Sequence, residues 1–179
     1  MTKTSIDRQK IMMGVLDLGN ITVEDIMLPH NEIIGIDLNN SNKNNRIIIE
    51  GNFHSSLPVY EDALDNIKGI LNLNEFLKET DLDSYDNDLI TNYLDKPYFI
   101  PEKTTLSQQL VEFKNNNQKL GFAIDEYGNI QGLITIEDIF EEIVGDYLEE
   151  TKKLNKEIMP KKIDDYFIVF LINFDFWMD

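Results

Sequence analysis

The spacing of apolar positions changes along the chain, and each change marks an element. Between residues 5 and 19, Ile11, Met12, Val15, Leu16 and Leu18 share one side of a 3.6-residue wheel, which predicts a lead-in helix that Gly19 stops. Thr22 opens a short turn, VEDIM, ended by Pro29. EIIGIDL, Glu32 to Leu38, has the composition of a strand, and the Asn-rich stretch after it, apolar only at Ile47 to Ile49, predicts a weak helix. SSLPVYE and NIKGILN are two strand-forming runs joined by DALD, and LNEFLKE is a short helix.

After the polar DLDSYDNDLITN the same order returns. YFI predicts a strand, TTLSQQLVEFKNNN a helix ended by asparagines, and KLGFAID and NIQGLIT two strands joined by EYGN. In the last helix, IEDIFEEIVGDY, the apolar residues Ile136, Ile139, Phe140, Ile143, Val144 and Tyr147 recur at i, i+3, i+4 and i+7. The chain is therefore two successive β-α-β-β-α units. NIKGILNLNEFL at Asn66–Leu77 and NIQGLITIEDIF at Asn129–Phe140 hold the same place in each, with asparagine, isoleucine and glycine repeated at Asn66/Asn129, Ile67/Ile130 and Gly69/Gly132. A unit of roughly 60 residues buries too little to stand alone, so the two are expected to pack on each other.

Composition narrows the function. The 179 residues, 42% hydrophobic, can supply a core, while 33 acidic against 16 basic residues give a formal charge of −17 with no basic cluster. Nucleic acid and anionic membrane surfaces are thereby poor candidates as direct partners, since both need a basic footprint. With no cysteine there is no disulfide framework or thiolate metal site. No stretch reaches the ~20 apolar residues of a membrane span, and the longest apolar run, YFIVFLINFDFWMD, contains Asn173 and Asp175. No basic region followed by an apolar one opens the chain, so no secretory signal is expected and the chain reads as soluble.

The chemistry concentrates at one strand-to-helix junction. Thr135-Ile-Glu-Asp138 has the spacing of a capping box, and Asn72-Leu-Asn-Glu75 repeats it with an asparagine cap. Such a junction also leaves helix N–H groups beside a hydroxyl and a carboxylate, a corner suited to ribose hydroxyls and a phosphate. The two roles are compatible. Elsewhere, DLDSYDND has the acidity of a calcium loop without the glycine and glutamate an EF-hand requires, and reads as a solvated linker. His30 and His54 stand apart without cysteine partners, so no metal site is expected. No GxSxG or similar arrangement supplies a nucleophile, so catalytic residues and an enzymatic role are not expected. Glu137, Glu141, Glu142, Glu149 and Glu150 form a solvated helix face, with a magnesium-sensing or docking surface as its functional alternative.

Gly132-Leu-Ile-Thr135-Ile-Glu-Asp138 resembles the glycine, hydrophobic, x, Ser/Thr, x, x, Asp signature that closes CBS repeats, and two such repeats in tandem resemble a Bateman module. VEDIMLP (23–29), HSSLPVYED (54–62) and GFAIDEYGNIQGLITIEDIFEEIVGDYLEE (121–150) resemble the CBS pair of the CorC/HlyC magnesium and cobalt efflux, or hemolysin-related, family. The resemblance runs from about residue 10 to residue 150. It implies an α+β fold of tandem repeats about a pseudo-twofold axis, preceded by a helix. Residues 1–20 would be the lead-in helix, 21–80 the first repeat, 81–92 a linker and 93–150 the second repeat. The 151–179 tail, through KKIDDYFIVF, resembles the start of that family's C-terminal domain.

By the same resemblance the chain is a regulatory nucleotide sensor on the cytoplasmic side of a membrane transport domain, carried in the full-length protein or by a partner chain. The ligand is ATP or AMP, with Mg²⁺ on the phosphates. Thr135 and Asp138 hold ribose, Phe99, Ile100, Pro101, Phe122 and Ala123 wall the adenine, and two chains form a homodimer. The first copy departs at Asn72 and Glu75, where Ser/Thr and Asp are expected, and at Ser56, where the family carries a basic residue nearby. These departures place one nucleotide per chain, in the second half. A ligand-free dimerisation module is the alternative.

Overall fold

The computed structural model describes residues 12–51, 54–80 and 87–144. The expectations for Tyr147, Glu149, Glu150, residues 81–86 and the 151–179 tail lie outside them. The described elements up to Ile143 belong to one compact unit.

In order, the elements are α1 (described over 12–17), α2 (Val23–Ile26), β1 (Leu28–Pro29), β2 (Ile36–Asp37), α3 (Asn42–Gly51), β3 (Ser56–Glu61), β4 (Ala63–Asn72) and α4 (Leu73–Glu79). They continue as α5 (Asn87–Ile90), β5 (Leu94–Asp95), β6 (Phe99–Pro101), α6 (Leu106–Asn115), β7 (Leu120–Ile124), β8 (Ile130–Thr135) and α7 (described over 136–144).

The strands form two four-stranded sheets, ordered β2-β3-β4-β5 and β1-β8-β7-β6. Both follow one plan. An antiparallel hairpin, β3–β4 or β7–β8, takes a parallel strand on its first arm, β2 or β6, and a short antiparallel strand on its second arm, β5 or β1. The short strands come from the opposite half of the sequence. β1 lies in the sheet of the second repeat and β5 in that of the first, so the repeats are locked together by exchanged edges.

This exchange explains the repeated glycine. A Cβ on Gly132 would stand 2.6 Å from the Leu28 carbonyl oxygen, and one on Gly69 would stand 2.6 Å from that of Asp95. Each glycine lets the exchanged strand's backbone approach where any side chain would collide.

Period-two alternation then sorts each strand's side chains into two layers. Ile36, Ile49, Leu57, Val59, Leu71, Phe76 and Ile90 fill the space between the first sheet and its helices. Leu18, Val23, Ile100, Leu106, Phe113, Ala123, Ile134 and Ile139 do so for the second. Ile70, Leu120, Phe122, Ile130 and Leu133, joined by Ile33, Ile67 and Ile124, lie between the sheets. The α+β architecture of two β-α-β-β-α repeats packed sheet to sheet, with a helix in front, is thus the one the hydrophobic pattern predicts.

Some boundaries move for local reasons. The strand expected over Glu32–Leu38 shortens to Ile36–Asp37: Glu32 still belongs to a 3₁₀ turn begun at His30, and after the strand Asp37 Oδ1 accepts from the N–H groups of Asn39 and Asp62 and turns the chain. DALD is not a four-residue turn: Asp62 alone, at φ 66°, reverses the chain, and Ala63 already begins β4. The end of the expected linker is packed rather than solvated. Ile90 is fully buried, and Asn87 donates to the carbonyls of Leu38 and Asn40 at 3.1 and 2.8 Å.

The lead-in helix is rotated from the orientation its apolar stripe predicts. Leu18 is buried, but Met12, Met13, Val15 and Leu16 are all more than half exposed. The face turned inward carries Gly14, where a Cβ would stand 2.6 Å from the Ile143 carbonyl oxygen. Close backbone contact, not apolar area, sets the helix's rotation.

The β7–β8 turn is held by one carboxylate. Asp125 Oδ1 accepts from the N–H groups of Tyr127 and Asn129, and Oδ2 from the Asn129 and Gln131 side-chain amides, while Gly128 supplies φ 87°. The Asn129 amide first, then the turn N–H groups and Gln131, lower the Asp125 pKa below its ordinary 3.8. With a depressed folded-state pKa, the stabilisation is present above that ordinary value and is lost as pH falls through the folded one. Asp125→Asn should therefore lower the melting temperature at neutral pH and flatten its fall on the acid side, which thermal melts taken from neutral pH down to the carboxylate range check.

Candidate functional site

β8 delivers Thr135 to the start of α7, and the junction closes through the Ile136 N–H, which donates to the Lys119 carbonyl at 2.8 Å. Thr135 donates its N–H and its hydroxyl to Asp138 Oδ2, both at 2.7 Å, and the Asp138 N–H donates back to Thr135 Oγ1 at 3.2 Å. This is a complete capping box with aspartate at its third position. Both return bonds converge on Oδ2 and leave Oδ1 out of the cap. The two side chains are half-buried.

The adenine-wall residues separate into three groups. β6 pairs in parallel with β7, setting Phe99 beside Phe122, Ile100 beside Ala123 and Pro101 beside Ile124. Phe122 belongs to the layer between the sheets, and the Phe99 ring lies 6.0 Å from it at a 43° tilt while remaining 44% exposed. Phe99 thus offers an open aromatic face on the edge strand, two strands from Thr135. Ile100 and Ala123 face the helices and are buried in the core, so they present backbone only. Pro101 lies at the far end of β6. There it lines a shallow depression of about 190 Å³ with Glu102, Lys103, Ile124, Asp125 and Glu126. Lys103 is ion-paired with Glu24, so this depression is lined by carboxylates and is ill suited to an anion.

The first half builds a weaker version of the corner. Leu73 N–H donates to the Ser55 carbonyl at 2.9 Å, as Ile136 does to Lys119, and Asn72 Oδ1 accepts from the Glu75 N–H at 3.3 Å. Glu75 is exposed, and only the one-way asparagine cap is made. The matched backbone bonds also reveal a residue that the sequence reading did not single out: Lys119 borders the second corner where Ser55 borders the first.

Thr22-Val-Glu-Asp25 is a further Thr-x-x-Asp box, legible in the sequence as a near copy of Thr135-Ile-Glu-Asp138. Asp25 Oδ2 accepts from the Thr22 N–H at 2.8 Å and hydroxyl at 2.7 Å. These bonds, the backbone N–H first, lower the Asp25 pKa. The N–H groups of Val23 and Glu24 are taken by the carbonyls of Thr104 and Glu102, so this helix end is consumed by the fold.

Among the described residues no group of three or more His, Cys, Asp or Glu is gathered as for a metal ion. Glu137, Glu141 and Glu142 are exposed on α7, and His30 Nε2 stands 3.7 Å from Asp65 Oδ1. No helix among the described residues is long and apolar enough to cross a membrane.

Comparison with known proteins bears on this architecture. The CBS domain family model matches residues 89–145. The chain is 39% identical over 155 residues to the inner membrane protein YfjD of Escherichia coli, covering 86% of this chain and 36% of that protein. It is 32% identical over 146 residues to the magnesium and cobalt efflux protein CorC of the same organism, covering 80% of this chain and 49% of that one. The chain thus spans between about a third and a half of these relatives' length.

Among solved structures, a CBS-domain pair with bound AMP from Klebsiella pneumoniae is 41% identical with a TM-score of 0.62, covering 70% of this chain and 99% of that one. The CBS domain of a bacterial CNNM/CorC family Mg²⁺ transporter in complex with ATP is 28% identical with a TM-score of 0.67, covering 77% and 97%. Exchanged edge strands, a doubled β-α-β-β-α plan and these likenesses agree: the chain belongs to the CBS-domain pairs, and is similar to those of the CNNM/CorC family.

Proposed function

We propose that the chain is a regulatory module that binds one adenine nucleotide, ATP or AMP, at the Thr135–Asp138 corner and controls a membrane cation-efflux domain from the cytoplasmic side. The observation that carries this reading is the free Oδ1 of Asp138 beside the first turn of α7, on the same sheet as the exposed ring of Phe99. Asp138 and Thr135 hold the ribose hydroxyls. Phe99, backed by Phe122, stacks on the base, and the backbone of Ile100 and Ala123 borders it.

The relatives of known structure with bound AMP and ATP support the choice of ligand. Lys119 beside the junction supplies one positive charge for a phosphate. Against the −17 of the whole chain this is too little for a triphosphate, which makes Mg²⁺ the expected companion of ATP. The second reading, a module that associates without ligand, is favoured by the one-way Asn72 cap and by the exposed apolar residues of α1. Two chains associate in either reading.

Calorimetric titration with ATP and AMP, each with and without Mg²⁺, separates the readings. One nucleotide per chain is expected, with chelation of Mg²⁺ weakening ATP far more than AMP. Two equivalent sites per chain would remove the assignment to the second corner, and silence with every nucleotide leaves the association module.

A further inference from the structure

The Thr135–Asp138 corner is gripped from both sides by the same segment of chain. Its strand, β8, is crossed by β1 at Gly132, where the Leu28 carbonyl leaves no room for a Cβ. Its helix, α7, is met by α1 about two turns further on, where Gly14 abuts the Ile143 carbonyl with equal closeness. Between these contacts, residues 18–24 run along the second half by backbone bonds. Ser107 and Leu106 N–H groups donate to the carbonyls of Leu18 and Ile21, and those of Val23 and Glu24 donate to Thr104 and Glu102. Leu18 is buried in the same cluster as Ile139 of α7. Residues 12–29 therefore form a strap that touches both elements meeting at the corner.

We propose that this strap is energetically coupled to the corner, so that a nucleotide held there orders α1, and loosening α1 weakens the nucleotide. The inference rests on the reading of the corner as a nucleotide site. A ligand bonded to Asp138 fixes the first turn of α7, and a helix carries that constraint as a rigid rod over the ~12 Å from Thr135 to Ile143. The Ile143–Gly14 contact is backbone against backbone, so no side-chain rotation absorbs a movement of α7. The described part of α1 exposes Met12, Met13, Val15 and Leu16, which leaves it little packing there and a low cost of local opening. The coupling is reciprocal by linkage.

Hydrogen exchange on the full chain, with and without saturating ATP and Mg²⁺, tests the strap. Amides of residues 13–18 should exchange about fivefold or more slowly with ATP bound, the low end of ordinary coupling between sites. Gly14→Ala, whose Cβ meets the Ile143 carbonyl, should speed that exchange without ligand and weaken ATP by about the same factor, while Leu16→Gln on the exposed face should do neither. ATP that binds the wild type and leaves the exchange of 13–18 unchanged overturns the coupling alone. No nucleotide binding by the wild type removes the reading of the corner as well. If Gly14→Ala loses cooperative unfolding, the wild-type exchange comparison decides by itself.

Discussion

Asp138→Asn should weaken nucleotide binding by about 1.5–3 kcal/mol, the range for hydrogen bonds to a charged group, or roughly 10- to 150-fold. The geometry makes this substitution informative, because the cap and the proposed ligand use different oxygens. Thr135 N–H and Oγ1 both donate to Oδ2. An asparagine keeps one oxygen able to accept both bonds and places its amide where Oδ1 stood. The helix cap survives, and the acceptor offered to ribose becomes a donor. Melting temperature without ligand should barely move, whereas Thr135→Ala, which breaks the box, should cost about 0.5–2 kcal/mol of stability. Titration calorimetry paired with thermal melts reads both quantities. An Asp138→Asn variant that binds ATP and AMP as the wild type does would reduce the motif to a helix cap.

The hydrophobic pattern carried the architecture because a repeat must bury two faces of every central strand, and that demand is written in alternation. Leu133 and Ile134 lie in different layers for this reason, and the order of elements follows directly. What the pattern did not carry is partner identity. Nothing in Leu28-Pro29 or Leu94-Asp95 says that each pairs with the other half's hairpin, since strands of two residues have no periodicity to read. The rotation of α1 was hidden similarly: apolar spacing names a stripe, but a backbone contact at Gly14 decided which side faces in.

The candidate site was legible where chemistry is local. Thr135 and Asp138 are three residues apart, and their bonding follows from helix geometry alone. The wall residues depend on which face of β6 and β7 looks out, and alternation places Phe99 and Ile100 on opposite faces. Phe99 and Pro101 are exposed on the edge strand and Ile100 between them is buried, and of the two exposed side chains Phe99 is the aromatic one. Lys119 escaped notice because its closeness to Thr135 arises from strand pairing, sixteen positions away in sequence, through the bond from Ile136.

Gly132→Ala and Gly69→Ala should each destabilise the fold by about 1–3 kcal/mol, the ordinary cost of forcing extra atoms into a packed site. In a chain of this size that lowers the melting temperature by roughly 2–12 °C. The glycine opens the signature in both copies, and a role at the ligand would make Gly69, beside the weaker corner, dispensable. The structure gives both the same task. Each proposed Cβ meets a backbone carbonyl oxygen 2.6 Å away, on Leu28 or Asp95, and also the side chain of the residue before it, Met27 or Leu94. A backbone oxygen held in a two-residue strand cannot turn aside as a flexible side chain does, so relief requires β1 or β5 to lift from its sheet. Gly51→Ala is the control: nothing lies within 4 Å of that Cβ at the end of α3, and alanine's helix preference makes it neutral or stabilising by up to about 1 kcal/mol. Differential scanning calorimetry of the three variants reads the difference, and a Gly69→Ala protein that melts with the wild type would contradict the account of the exchanged edges.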